Sequence, residues 1–193
     1  MPKFSQMKPA VILCLICLIT TGLLALTYDI TQEERDRQNA ASDNAIRLAL
    51  FPEAASFEAL ELPADGTAPE GLNEVYKALG QSGQCLGYLF VSEKRGYGGQ
   101  VPIMLAVDPQ GLISGIRVLT NDETPGLGKK VADGAFLNKF LKQDAARPFA
   151  LKVVDNGEQS VDAVSGATIS SRAVTDAVNA AVLFYKNLNQ EGQ

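Results

Sequence analysis

The 193-residue chain contains no histidine. That absence removes His-based metal sites, Ser-His-Asp triads and any covalent cofactor link through imidazole. Cysteine is nearly as scarce. Cys14 and Cys17 lie in an apolar run, so Cys85 alone belongs to the rest of the chain and no disulfide framework can form there. Cys14 and Cys17 have C-x-x-C spacing, but Leu and Ile surround them instead of the electropositive setting that stabilises a thiolate. Cys85 reads as a small core residue. Basic clusters are missing too. Seventeen Lys and Arg stand against 22 Asp and Glu, for a net charge of −5, and no basic stripe offers the phosphate contacts of a nucleic-acid binder. There is no internal repeat and no low-complexity tract. With 46% hydrophobic and 20% charged residues, what is present suits one ordinary domain with a sizeable core plus an N-terminal extension.

Residues 1–9 carry Lys3 and Lys8, and Ala10 to Leu26 then runs as AVILCLICLITTGLLAL without a charge. At about 1.5 Å per residue this run reaches roughly 26 Å, slightly short of a ~30 Å hydrocarbon core, with Pro9 and Tyr28 available at the interfaces. A membrane anchor over residues 10–28 is therefore expected. A cleaved signal peptide fits less well, because Leu24-Ala25-Leu26-Thr27-Tyr28 has no small-x-small exit. Lysine before the span and Asp29, Glu33 and Glu34 after it place the N-terminus in the cytoplasm and the remainder outside, in a bacterium the periplasm.

Beyond the span, Thr31 followed by Glu33 and Glu34 reads as a fresh helix start, and good helix formers continue to about Phe51 as a stalk. Pro52, Pro63, Asp65-Gly66 and Pro69-Glu70-Gly71 then interrupt, so residues 52–72 read as loop with short pieces of structure. The anchor, a stalk and loop region over 29–72, and a domain over 73–193 complete the expected organisation. Within that domain LGYLFVSEK reads as a strand, Gly96-Tyr97-Gly98-Gly99 interrupts, and VPIMLAV and LISGIRVLT form an antiparallel pair about Asp108-Pro109-Gln110-Gly111. The loop Asn121 to Gly128 precedes an expected helix over 129–141, with Val131, Ala135, Phe136 and Phe140 on one side. A strand over 149–154 and a turn at Asp155-Asn156-Gly157 lead to a last helix after Ser171, whose Val174, Val178, Ala181, Val182 and Tyr185 follow helical spacing. The fold class is α+β, with one transmembrane helix, antiparallel strands and flanking helices.

The chemistry concentrates at Asp162-Ala163-Val164-Ser165-Gly166-Ala167-Thr168-Ile169-Ser170-Ser171. Small residues at a helix entrance let backbone approach a ligand, and unpaired N–H groups together with the helix dipole favour an anion such as phosphate. Simple capping of the helix by Ser165, Thr168, Ser170 or Ser171 explains the same residues.

Taken in one order, the single N-terminal span, Gly96-Tyr97-Gly98-Gly99, Glu123-Thr124-Pro125-Gly126-Leu127-Gly128 and Asp162-x-x-Ser165-Gly166-Ala167-Thr168-x-Ser170 resemble the G subunit of the Rnf (or Rsx) ion-translocating electron transport complex. The C subunit of the sodium-translocating NADH:quinone reductase is a relative, usually longer, with the same type of FMN-binding domain. The resemblance implies FMN bound covalently by a phosphoester to Thr168, installed by a separate flavin transferase with FAD as donor. Ser165, Gly166 and Ala167 would flank the phosphate, Glu123, Thr124, Gly126 and Leu127 would lie against the isoalloxazine, and Asp162 and Ser170 would belong to the transferase's recognition sequence. It further implies a single-pass inner-membrane protein, working as an electron carrier among the other Rnf/Rsx subunits more than as a stand-alone enzyme. Two other readings stay open at this point: a non-redox binding module, and a flavin reductase with a diffusible substrate.

Overall fold

A computed structural model describes residues 4–63, 67–151 and 158–191. The chain divides into two compact units, Met1–Ser42 and Asp43–Gln193. The first is helical throughout its described length, as part of α1 (Phe4–Leu50). The apolar side chains from Val11 to Leu26 are exposed, which makes this a helix apolar and long enough to cross a membrane. Thr20 and Thr27 turn their hydroxyls back onto the carbonyls of Ile16 (2.9 Å) and Leu23 (2.8 Å), so both polar groups are satisfied inside the helix. The separate helix start expected at Thr31 is absent, since α1 runs on to Leu50. Asp29 to Arg37 are compatible with helix, and the hydroxyl of Thr31, expected to start a new helix, donates instead to Thr27 O at 2.7 Å.

The second unit is built on a five-stranded antiparallel meander of β1 (Ser56–Leu60), β2 (Leu72–Leu79), β3 (Cys85–Arg95), β4 (Gln100–Val107) and β5 (Ile113–Val118), adjacent in that order. Alternation along the strands assigns the two faces. On β4, Val101, Ile103, Leu105 and Val107 join the larger core, whereas Met104 and Ala106 join a smaller one behind the sheet. The helix α3 (Thr168–Glu191) covers the larger face with Ala173, Val174, Ala177, Val178, Ala181 and Tyr185, and Phe90 meets Tyr185 edge-on at 6.2 Å. Inside this interface the hydroxyl of Ser92 donates to Ala177 O at 2.8 Å, which removes the cost of burying it. Behind the sheet, Ile46, Leu50, Phe51 and Phe57 close the smaller core. There the Arg47 guanidinium lies 4.0 Å from the Tyr76 ring centre and donates to Tyr76 Oη at 2.9 Å.

Two further expectations change, the helix over 129–141 and the place of Cys85. The single helix over 129–141 is a 3-10 turn, Gly128–Ala132, followed by the four-residue α2, Gly134–Leu137. Asp133 is extended (φ −73°, ψ 143°) and separates them, so Val131, Phe136 and Phe140 are buried as expected while Ala135 is exposed. The strand expected over 149–154 is present as far as the described residues go, as β6 (Phe149–Leu151), paired in parallel with β7 (Gln159–Val161); its remainder at 152–154 and the turn expected at 155–157 lie outside the described residues. Asn179 of α3 anchors β6, accepting from Phe149 N (2.7 Å) and donating to Phe149 O (2.9 Å). Cys85 is exposed at the start of β3, next to the Gly80–Gln84 turn, and takes no part in the core.

Candidate functional site

Three connections meet at the start of α3: the β3–β4 loop at Gly96–Gly99, the segment after β5, and residues 162–167. They enclose a cavity of about 510 Å³. One wall is Glu123, Thr124, Leu127 and Gly128; the other is the α3 entrance from Gly166 to Ser170; Tyr97 completes the lining. Gly166 has φ 76°, a left-handed conformation in which glycine meets no steric penalty, and it turns the chain into the helix. Ala167 occupies the N-cap position, since its carbonyl accepts the first helical bond from Ser171 N at 2.9 Å. A methyl side chain cannot accept a hydrogen bond, so the capping explanation fails for this helix. Among the described residues nothing accepts from the N–H groups of Thr168, Ile169 and Ser170. Orphan N–H groups at the positive end of a 24-residue helix form an anion-binding position.

Thr168 is the first residue of α3 and is exposed, and its hydroxyl makes no hydrogen bond to the described residues. Two positions on, Ser170 is 2% exposed and its hydroxyl donates to Glu123 Oε2 at 2.6 Å. Glu123 itself is 1% exposed. Its Oε1 accepts from the backbone N–H groups of Tyr97 (2.8 Å) and Gly98 (3.1 Å), so both carboxylate oxygens act as acceptors. Ser171 is buried and its Oγ accepts from Val164 N at 3.0 Å, which holds the approach to the helix. Opposite, Thr124 O accepts from Leu127 N (3.3 Å) and Lys129 N (3.2 Å), a tight turn that leaves the Leu127 side chain 49% exposed beside the cavity.

The sequence-derived residues separate in space. Glu123, Thr124, Leu127, Gly166, Ala167, Thr168 and Ser170 share the cavity wall. Ser165 and Gly126 are in the adjoining turns and do not line it. Asp162 is exposed, and its carbonyl accepts from Lys139 Nζ at 3.0 Å. Tyr97 and Gly128, quoted within their motifs but not assigned to the site, also line the cavity, as does Ile169. The Gly-Tyr-Gly-Gly run carried a signal for Tyr97; Ile169, 56% exposed, was hidden as the variable position between Thr168 and Ser170. Arg172 lies away from this cavity, by Phe149 and Asp176. Burial raises the Asp176 carboxyl above the ordinary range, and the charges of Arg172 and Lys94 oppose the rise in part. Among the described residues no group of acidic or thiol side chains is arranged to hold a metal ion.

Two family models match the chain: an FMN-binding domain over residues 96–183 and the RnfG N-terminal region over residues 1–50. The first covers all three connections around the cavity. The chain is 32% identical over 197 aligned residues to the G subunit of the Na(+)-translocating ferredoxin:NAD(+) oxidoreductase complex of Acetobacterium woodii, covering 95% of this chain and 93% of that one. It is 35% identical to the G subunit of the ion-translocating oxidoreductase complex of Methanosarcina acetivorans, covering 91% and 92%. In fold it is similar to the crystal structure of the C subunit of Na(+)-translocating NADH-quinone reductase from Parabacteroides distasonis, with a TM-score of 0.53 over 70% of this chain and 78% of that one, at 23% identity. The antiparallel sheet, the helix entrance and the N-terminal apolar helix thus all lie within matched sequence, and the chain belongs to the RnfG family, the G subunits of Rnf-type ion-translocating oxidoreductase complexes, with an FMN-binding domain as its globular part.

Proposed function

We propose that the chain is an electron-carrying subunit whose FMN is esterified through its phosphate to Thr168 Oγ1, in an assembly that couples electron transfer to ion translocation. The observation that carries this reading is the uncommitted, exposed hydroxyl of Thr168 beside three orphan N–H groups on the wall of a cavity. The residues fit the cofactor. A volume of about 510 Å³ lies inside the roughly 300–1,000 Å³ of small-molecule sites. Its helix end suits a phosphodiester, and Leu127, Ile169 and Tyr97 offer apolar surface to a flat ring. When bound, FMN supplies the redox chemistry, while the protein orients it and sets its surroundings.

Attachment asks little of this chain's residues. Thr168 Oγ1 forms the new bond to phosphorus and loses its proton, the phosphoanhydride of FAD breaks, and AMP leaves. No general base sits beside Thr168 among the described residues; Glu123 is already hydrogen-bonded to Tyr97, Gly98 and Ser170. The proton acceptor therefore belongs to a separate flavin transferase, for which Asp162, exposed six residues before Thr168, is a recognition element. The anchor spans the inner membrane once, with residues 1–9 cytoplasmic and the flavin domain periplasmic. A single apolar helix without a charge in the span provides no ion pathway, so translocation belongs to the other subunits.

Co-expression with a flavin transferase, followed by denaturing electrophoresis, tests the reading. Flavin fluorescence that migrates with the polypeptide is expected. A colourless band means a binding module without flavin, and rapid bleaching by NADH without partner subunits means a reductase.

A further inference from the structure

We propose that the Glu123 carboxylate is the positioning residue of this site, a buried bridge that holds the β3–β4 loop and the first turn of α3 at a fixed separation and so aims Thr168 at the cavity; the proposal rests on the flavin reading above. The bridge spans long stretches of chain. Oε1 accepts from Tyr97 N and Gly98 N, 26 and 25 residues away, and Oε2 accepts from Ser170 Oγ, 47 residues away. At 1% exposure the carboxylate is tolerated because these donors replace water. The surrounding backbone leaves room for it and little else. A Cβ on Gly96 would collide with Oε1, and one on Gly128 would collide with Oε2 and press on Ser170 Oγ. Among the described residues no other side-chain hydrogen bond ties the Gly96–Gly99 loop to α3.

Ser170 gains a different role from the one its sequence position implied. Its hydroxyl is buried and hydrogen-bonded within the domain, so in the folded chain a transferase has no access to it. It lies in the same helical turn as Thr168, so its bond to Glu123 fixes the rotation of that turn and the direction of Thr168 Oγ1. The effect of Ser170 on attachment then runs through Glu123.

The test uses the full chain co-expressed with the transferase and reads the rate of flavin loading, the visible circular dichroism of the loaded protein, and amide exchange in an unloaded Thr168→Ala background. Glu123→Ala is expected to slow loading by about tenfold or more, as loss of a buried acceptor with several donors implies, and to alter the dichroism of whatever flavin is loaded. In the unloaded background it speeds exchange at the Tyr97 and Gly98 amides. Ser170→Ala slows loading by roughly threefold and adds nothing to Glu123→Ala, because the two residues act through one bond. Glu123→Gln rescues loading and exchange, since its amide oxygen still accepts from Tyr97 and Gly98 and its nitrogen faces Ser170 Oγ. If Glu123→Ala does not fold, Ser170→Ala, Glu123→Gln and their double variant carry the same comparison. Wild-type loading, dichroism and exchange in Glu123→Ala and Ser170→Ala overturn the bridge while leaving the flavin reading intact. Additive effects of the pair overturn it as well. A wild-type chain that takes up no flavin overturns the flavin reading itself, and this proposal with it.

Discussion

The two ends of α3 differ in a way that separates a cavity from a site. At the C-terminal end lies the larger space, about 660 Å³ lined by Tyr88, Gln110, Asp144, Tyr185 and Asn189; the N-terminal end has about 510 Å³. Volume alone would favour the first. A helix C-terminus presents carbonyls and partial negative charge, whereas the N-terminus presents N–H donors and attracts anions. Among the described residues only the N-terminal end sets an uncommitted aliphatic hydroxyl beside orphan N–H groups, and only there does a buried carboxylate tie the β3–β4 loop and the segment after β5 to the first turn of the helix. What distinguishes the site is the polarity of the backbone and the freedom of one oxygen.

Substitutions at the two ends test this contrast. The largest effect belongs to Thr168→Ala, which removes all covalent flavin in denaturing gels, while Thr168→Ser keeps part of it because a hydroxyl remains. Next is Gly128→Val, whose Cβ would meet Glu123 Oε2 and Ser170 Oγ. It is expected to cost about 1–3 kcal/mol in urea unfolding and to reduce loading as well. At the opposite end Gly111→Ala places a Cβ at φ 83°, 3.1 Å from Tyr185 Oη. It should cost roughly 1–2 kcal/mol of stability and leave loading unchanged, and a loading defect there would erase the distinction between the ends.

The smallest effect is electrostatic. Burial raises the Asp176 carboxyl, against the charges of Arg172 and Lys94, so the folded state binds its proton more tightly than the unfolded chain does. Stability is then lost as pH rises through that window and the group ionises. Asp176→Asn should melt slightly higher than wild type at neutral pH, with the gap closing as pH falls through the carboxylate range, and loading should not change.

Much of the architecture was legible because burial imposes periodicity. The unbroken apolar run VPIMLAV marks a strand buried on both faces, and the 3.6-residue spacing of Val174, Val178, Ala181 and Tyr185 marks a helix face that packs. The apolar period of α3 is legible only after Ser171, because Ser165 to Thr168, Ser170 and Ser171 are small or polar; the helix itself begins at Thr168, within the expected entrance, with Ala167 at its cap position. Strands as short as β1 and β7 hold too few residues for a pattern. In the helix predicted over 129–141, one extended residue, Asp133, broke the period without disturbing which aromatic side chains are buried. At the site, residue types pointed to Thr168 and to the Glu123 loop, but not to what Glu123 touches. Its partners lie 25 to 47 residues away, and no local pattern encodes a hydrogen bond of that reach.

Mass spectrometry of the intact chain, followed by its Thr168 peptide, tests the central claim most directly. The account predicts the added mass of one FMN less water, located on Thr168. An unmodified Thr168 in protein made with an active flavin transferase, or flavin carried by any other residue, would contradict it.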